Sequence, residues 1–255
     1  MKVEVYSDVV CPWCYVGERR LKRALAALPD ATRIDVQFMP YQLDPSTPDE
    51  ASPLVQYVER RFGRNAGAML ERVSTVAKGE GVSINWDRAL IANTRTAHRL
   101  LTWVVQVYGA RVQGSVAEQL FDLYFTQGGN IADIEQLVQA ASRAGVNADR
   151  ARAHLQSTNG VFELEAAFDE ARRRGVQAVP TFVIDDRFII EGAQTVAAFV
   201  DVLERALAQS TNTATTDAAA CADGECAVWR RVRTRKEQPC PEIPVSSRPS
   251  GSRRV

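Results

Sequence analysis

Apolar and polar residues alternate at the start of the chain. Val3-Glu4-Val5-Tyr6-Ser7 has the period-2 pattern of a half-buried strand. From Tyr15 to Leu28 the period changes. Leu21, Leu25 and Leu28 recur at helical spacing with basic residues on the opposite face, and Pro29 closes the segment. Alternation returns over Arg33-Ile34-Asp35-Val36-Gln37-Phe38. Strand, helix and strand in this order predict a β-α-β unit with parallel strands. The stretch 40–53 carries four prolines and reads as a loop. Helical periodicity then dominates, over Leu54–Phe62, Ala66–Lys78, Thr94–Tyr108, Ser115–Thr126, Asp133–Arg143 and Ala148–Gln156, with glycines between the segments. Asp133 is placed to cap its helix and Gly145 to end it. A helix over Phe162–Arg174 ends at Gly175. Thr181–Ile184 and Arg187–Ile190 follow as two short apolar runs joined by Asp185-Asp186, which predicts a hairpin. Thr195–Gln209 is a last amphipathic helix. Beyond it, 210–217 is polar and reads as a linker.

The pattern is therefore α/β, with β-α-β at one end, α-β-β-α at the other and about a hundred helical residues between them. The implied organisation is one domain from 1–52 and 161–209, a helical insertion over 53–160, and a flexible extension over 210–255. Composition agrees with a folded chain: of 255 residues, 45% are hydrophobic and 24% charged. The formal net charge is zero, so the whole chain is not an electrostatic binder of nucleic acid. Charge is uneven, because Val228–Val255 holds eight Lys or Arg against two acids. A solvated tail is the simpler reading of that run, and an RNA or anionic surface partner the other. Apolar runs stop at about five residues, far below the roughly 20 of a membrane span. Acidic residues interrupt the N-terminal pattern before a signal-peptide core could form, so the expected compartment is the cytoplasm. Structural disulfides are rare there, and the five cysteines need another reason.

Cys11-Pro12-Trp13-Cys14 lies between the first strand and the first helix. The first sulfur of such a pair sits beside unpaired backbone N–H groups and the positive end of the helix dipole, which favour a thiolate. A thiolate is the attacking species in thiol–disulfide exchange, so Cys11 is the candidate nucleophile and Cys14 the candidate resolving thiol. Pro12 suits the first helical position. A metal half-site and two inert thiols are the competing readings. Within a β-α-β pattern the redox reading is the stronger. Val179-Pro180-Thr181 opens the next strand. On sequence alone a trans bond is favoured at Pro180, as at the start of an edge strand. Were it cis, the Val179 backbone would be turned toward the cysteines, ready to pair with an extended substrate. Cys221 and Cys226, with four residues including Gly224 between them, are a second pair. They could act as a tethered auxiliary dithiol, a static disulfide or part of a zinc site. Cys240 is left over. Asp8 can tune the thiols or cap the turn. Trp13 sits between the reactive sulfurs. His98, His154, Trp86 and Trp103 read as structural, though His98, which follows Asn93-Thr94, could lie near the active site.

The run Ser7-Asp8-Val9-Val10-Cys11-Pro12-Trp13-Cys14-Tyr15-Val16-Gly17, the long helical insertion and Val179-Pro180-Thr181-Phe182-Val183 together resemble the DsbA-type thioredoxin superfamily, in particular its FrnE-like branch of thiol–disulfide oxidoreductases. The resemblance covers about residues 1–209. It implies a thioredoxin fold interrupted by helices, Cys11 as nucleophile, Cys14 as resolving thiol and Pro180 as a cis-proline facing them. Val179, Pro12 and Trp13 would meet the substrate. It also implies that Cys221 and Cys226 match a C-terminal pair found in some FrnE-like proteins. No cofactor or metal is expected; the partners would be protein thiols and disulfides, with glutathione or thioredoxin as candidate electron carriers. Two features depart from secreted relatives: no export signal is evident, and the inter-cysteine dipeptide is Pro-Trp. The 2-hydroxychromene-2-carboxylate isomerases and kappa-class glutathione transferases are similar in fold and insertion. They typically carry Ser at the first active position, where this chain has Cys11.

Overall fold

The computed structural model describes residues 1–29 and 34–220, with side chains described to residue 209. The expected extension beyond residue 220, including Cys221, Cys226, Cys240 and the basic tail, lies outside the described residues. By its contacts the chain falls into two units, Met1–Asn212 and Thr213–Val255.

Strand β1 (Lys2–Ser7) leads into helix α1 (Pro12–Ala27), which returns to β2 (Asp35–Pro40). β1 and β2 are parallel, with Val5 opposite Phe38. Late in the chain, β5 (Thr181–Ile184) and β6 (Phe188–Glu191) form the expected hairpin, and β5 pairs antiparallel with β1. Asp185 and Asp186 adopt positive φ angles of 47° and 54° in its turn, a conformation Asp tolerates better than most residues. The sheet order is β2-β1-β5-β6. β1 is thus central and buried on both faces. Val3 and Val5 point into the main core, while Tyr6 packs on the other face with Val183 and Ala171. This is the thioredoxin arrangement, with helices inserted between its halves.

The intervening segment holds α2 (Leu54–Phe62), a 3-10 turn (Gly63–Asn65), α3 (Ala66–Gly79), α4 (Arg95–Tyr108), α5 (Ala110–Phe125), α6 (Ile134–Arg143) and α7 (Ala148–Gln156). α8 (Val161–Arg173) then leads back to the sheet. Asp133 caps α6, its side chain accepting from Gln136 N–H at 2.9 Å. Two-residue strands β3 (Ser52–Pro53) and β4 (Leu90–Ile91) pair inside stretches with no strand pattern, too short to leave one. The helices and the sheet share one hydrophobic core, which runs from Val5 and Phe182 to Leu100, Phe121 and Leu137.

Two helices differ from their sequence patterns. α5 begins at Ala110 rather than Ser115 and runs through Gly114. The reason is tertiary: the buried Gln113 side chain accepts from Phe38 N–H and donates to Phe38 C=O, both at 2.8 Å, completing the backbone of edge strand β2. Helix α9 (Val196–Ala220) continues through the stretch expected to be a linker. Ser, Thr and Asn lower helix propensity by only tenths of a kcal/mol each. No glycine or proline stands between Thr195 and Ala222 to stop it.

An ion-pair cluster fixes α1 to α3. Glu80 receives Arg20 Nε and Arg23 Nη1, both at 2.7 Å, and Arg20 also donates to Ala193 C=O. Burial pushes the Glu80 carboxyl up, but Arg20 and Arg23 outweigh it and hold the group below its ordinary range. A lowered folded-state value stabilises the fold above the unfolded-state value and loses that stabilisation as pH falls through the folded value. Glu80→Gln is therefore expected to lower the unfolding free energy by about 1–3 kcal/mol at neutral pH. The difference should shrink toward zero in acid, which denaturant melts across the pH range would read.

Candidate active site

Helix α1 starts inside the cysteine motif. Pro12 is its first residue and Cys11 its N-cap, with φ −88° and ψ 113°. No side chain caps this end, and the first turn holds no acid. The Cys11 amide donates to Asp8 C=O at 3.0 Å, and Cys11 C=O receives Cys14 N–H at 3.0 Å. Both cysteines are free thiols, 4% and 2% exposed.

The two sulfurs have unequal surroundings. Cys14 lies inside the first turn, in contact with the Cys11 thiol, the Ser7 hydroxyl and the Asp8 backbone amide. Burial pushes its titration well above the usual thiol range and its neighbour Cys11 adds to this; Ser7 and the Asp8 amide pull the other way without prevailing. Cys11 stands at the helix end, at the edge of a cavity. Its sulfur is 3.8 Å from Val179 C=O. The Val179–Pro180 bond is cis, as the resemblance implies and against the sequence-only preference for trans. Thr181 Oγ1 donates to Ala178 C=O and Gly192 N–H to Pro180 C=O, both at 2.8 Å, which fixes this loop.

Gly17 allows the two motifs to meet. A Cβ there would stand 3.1 Å from Pro180 Cγ and 3.1 Å from Phe182 Cζ. One turn beyond the cysteines, a residue with no Cβ lets α1 lie this close to the proline loop without displacing either ring.

Cys11, Cys14, Pro12, Trp13, Val179 and Pro180 are therefore gathered at one place, with Pro12 and Trp13 half-buried. Cys221 and Cys226 lie outside the described residues. Beside Cys11 opens a cavity of about 390 Å³, walled by Leu54, Val58, Leu70, Val73 and Trp86 from the helical segment. Tyr124 also lines it; its buried hydroxyl has no hydrogen-bond partner among the described residues.

His98 and Asp8 carry more than the sequence discloses. Asp8 is 1% exposed and His98 2% exposed; His98 Nε2 lies 3.2 Å from Asp8 Oδ1. Asp8 Oδ2 receives Leu43 N–H at 2.8 Å. Ninety residues separate the pair in sequence; the scarcity of histidine, two in the chain, and its place after Asn93-Thr94 are what mark His98 out. His154 fits its structural reading: it stacks on Trp103 at 4.9 Å between centroids. Trp86 is half-buried at the cavity wall, with its Nε1 donating to Ser74 Oγ at 2.7 Å.

The DSBA-like thioredoxin domain family matches residues 2–204. The chain belongs to that family. It is 25% identical over 213 residues to the uncharacterised protein YwbO of Bacillus subtilis (strain 168), covering 80% of this chain and 94% of that one. The crystal structure of the probable DsbA oxidoreductase SCO1869 from Streptomyces coelicolor superposes with a TM-score of 0.75 at 29% identity, over 82% of this chain and 90% of that one. A 2-hydroxychromene-2-carboxylate isomerase structure shares the fold, with a TM-score of 0.60 at 15% identity over 84% and 99%. The protein is accordingly a DsbA-like thiol–disulfide oxidoreductase. Among the described residues no helix is long and apolar enough to cross a membrane.

Replacing a helical glycine by alanine ordinarily gains about 1 kcal/mol. Gly17→Ala is expected to forgo that gain. Gly17→Val should cost about 1–3 kcal/mol through overpacking. Chemical denaturation measures both, and a stabilised Gly17→Val protein would show that the helix and proline loop are not held together as described.

Proposed function

We propose that the chain is an FrnE-like enzyme that reduces and reshuffles disulfides of proteins in the cytoplasm, with Cys11 as nucleophile and Cys14 as resolving thiol. The observation that carries the reading is the pair of free thiols at the start of α1, one of them against the Val179 carbonyl. The Cys11 thiolate attacks one sulfur of a substrate disulfide. The substrate S–S bond breaks, its other sulfur leaves with the electron pair and takes a proton, and a mixed disulfide with Cys11 remains. Cys14 then gives up its proton and attacks Cys11 Sγ. A Cys11–Cys14 bond forms, the second substrate sulfur leaves, and the substrate has gained the two electrons lost by the dithiol. If another thiol of the substrate resolves the mixed disulfide first, the enzyme is regenerated reduced and the substrate is isomerised.

Val179 supports this cycle as a backbone contact. Its carbonyl faces Cys11 in the free enzyme and can accept an N–H from an extended substrate strand once that sulfur is engaged. Pro12 and Trp13 form the rim over which the substrate passes, and the apolar cavity suits a bulky side chain beside the substrate cysteine. Residues 53–160 act as an insertion that supplies this wall. Cys221 and Cys226 are the auxiliary pair that exchanges electrons with Cys11 and Cys14, and glutathione or thioredoxin closes the cycle. The fold is shared with 2-hydroxychromene-2-carboxylate isomerase and does not by itself separate the two chemistries. The dithiol favours the redox reading.

Cys11→Ser is expected to abolish insulin reduction and repair of scrambled ribonuclease alike. Cys14→Ser should accumulate mixed disulfides visible on non-reducing gels. Replacing Cys221 and Cys226 by Ser together should leave attack by Cys11 intact while slowing multiple turnover about tenfold, through loss of a tethered partner. Glutathione conjugation of a small electrophile that survives Cys14→Ser would transfer the protein to the isomerase or transferase class.

A further inference from the structure

The resolving step has a cost that the dithiol alone does not meet. Cys14 must become a thiolate at a position from which water is excluded, and burial opposes this. A nearby base would remove the difficulty, and the cycle above leaves one buried acid–base pair unused. The buried Asp8–His98 pair lies on the inner side of the motif. Ser7 links it to Cys14. Its hydroxyl is one of the contacts of the Cys14 sulfur, and Ser7 and His98 line the same small void of about 10 Å³. That is about the space one water molecule needs. The remaining lining of the void is largely apolar, including Val9, Phe38, Leu101 and Phe121.

We propose that Ser7, His98 and Asp8 form a proton relay for Cys14, so that His98, carried by α4 of the helical segment, is a general base of the resolving step. The proposal rests on the dithiol reading above. The Cys14 proton passes to the Ser7 hydroxyl, which hands its own proton across the void to the His98 ring. His98 Nε2 donates to Asp8, a tautomer assigned from that hydrogen bond, so Nδ1 is the nitrogen left to accept. Asp8 stabilises the resulting imidazolium and is itself held by Leu43 N–H. The Cys14 thiolate then attacks Cys11 Sγ. The Cys11–Cys14 bond forms, the bond from Cys11 to the substrate sulfur breaks, and the departing thiolate is protonated from solvent. His98 returns its proton to solvent before the next cycle.

Among the described residues, the titratable and charged groups around the pair are Cys14 of α1, met by the Asp8 amide, and Cys11, Asp44, the α2 residues Tyr57 and Arg61, and the Tyr124 phenol of α5, which line the same cavity as Asp8. Phe168 of α8 covers the His98 ring edge-on at 5.9 Å. Burial, with Asp8 second, drives the Tyr124 phenol far above its ordinary value, so it stays neutral and does not compete as a base. Asp8 has a further contact with the chemistry, because its carbonyl holds the Cys11 amide and its own amide faces Cys14.

The test is rapid mixing of the reduced full-length protein with 5,5′-dithiobis(2-nitrobenzoate). Attack by Cys11 releases one coloured thiol and resolution by Cys14 releases the second, so the two steps appear as two phases. In His98→Gln the first phase should change less than about twofold, while the second slows about 100-fold, the low end of general-base assistance. The second phase should also become steeper with pH, rising about tenfold per unit as hydroxide replaces the internal base. Ser7→Ala should slow the second phase in the same direction. Asp8→Asn should do so where it folds, and His98→Gln with Ser7→Ala carry the test where it does not. A second phase of unchanged rate and pH profile in His98→Gln and Ser7→Ala would overturn the relay. So would equal slowing of both phases together with a lower unfolding free energy, which would mark the pair as scaffold. A wild-type protein lacking the first phase would instead remove Cys11 from the chemistry, and the relay with it.

Discussion

The first turn of α1 is held from three directions at once, and the geometry of the site follows from that constraint. Asp8 C=O receives the Cys11 amide from the sheet side. Val179 C=O stands against the Cys11 sulfur from the proline loop. Gly17 lets Pro180 and Phe182 press on the helix one turn later. A thiol-to-carbonyl contact at 3.8 Å is weak, so it does not fix the distance between motifs. Close packing at Gly17 and the register of β1 against β5 do that, and the sulfur is carried to Val179 as a result.

The helical segment is part of this site rather than an appendage to it. Gln113 of α5 completes the backbone of β2, which otherwise ends the sheet with unpaired groups. Tyr15, next to Cys14, stacks on Phe121 of α5 at 4.9 Å with the rings 8° from parallel. α4 contributes His98, and α2 and α3 wall the cavity beside Cys11. A substitution within these helices thus reaches the sulfurs through packed side chains. The shared core gives the physical reason that the helices and the sheet form one unit to Asn212.

What the sequence discloses is what depends on local order. The strand-to-helix placement of the cysteines, the hairpin at Asp185-Asp186, the cap at Asp133 and most helix bounds follow from spacing and turn chemistry. What it conceals depends on distant partners. Gln113 is one polar residue within an apolar periodicity, and its strand-completing role exists only because Phe38 arrives beside it. Asp8 permits two readings until His98 and Leu43 reach its carboxylate. The cis bond at Pro180 is disfavoured by local preference and reached only through the family resemblance. Helix α9 outruns its amphipathic pattern because no residue before Gly224 breaks the backbone, a local fact that the polar composition of the stretch obscures.

The two cysteines, three residues apart, are placed in unequal environments, and this inequality bears on which reaction dominates. Cys11 is at the helix end, where backbone N–H groups lack intrahelical partners. Cys14 is inside, where burial outweighs the Ser7 and Asp8 contacts that favour its thiolate. A pair with equally ready sulfurs would close on itself as soon as a mixed disulfide formed, and each encounter would end in reduction. A reluctant second sulfur lengthens the life of the mixed disulfide and gives other thiols of the substrate time to displace Cys11. On the proposed function, that ordering favours isomerisation over simple reduction. Under the proposed relay, the supply of a base to Cys14 is the point that sets the ratio between them: each increase in proton transfer toward His98 favours release with net reduction, and each decrease favours reshuffling.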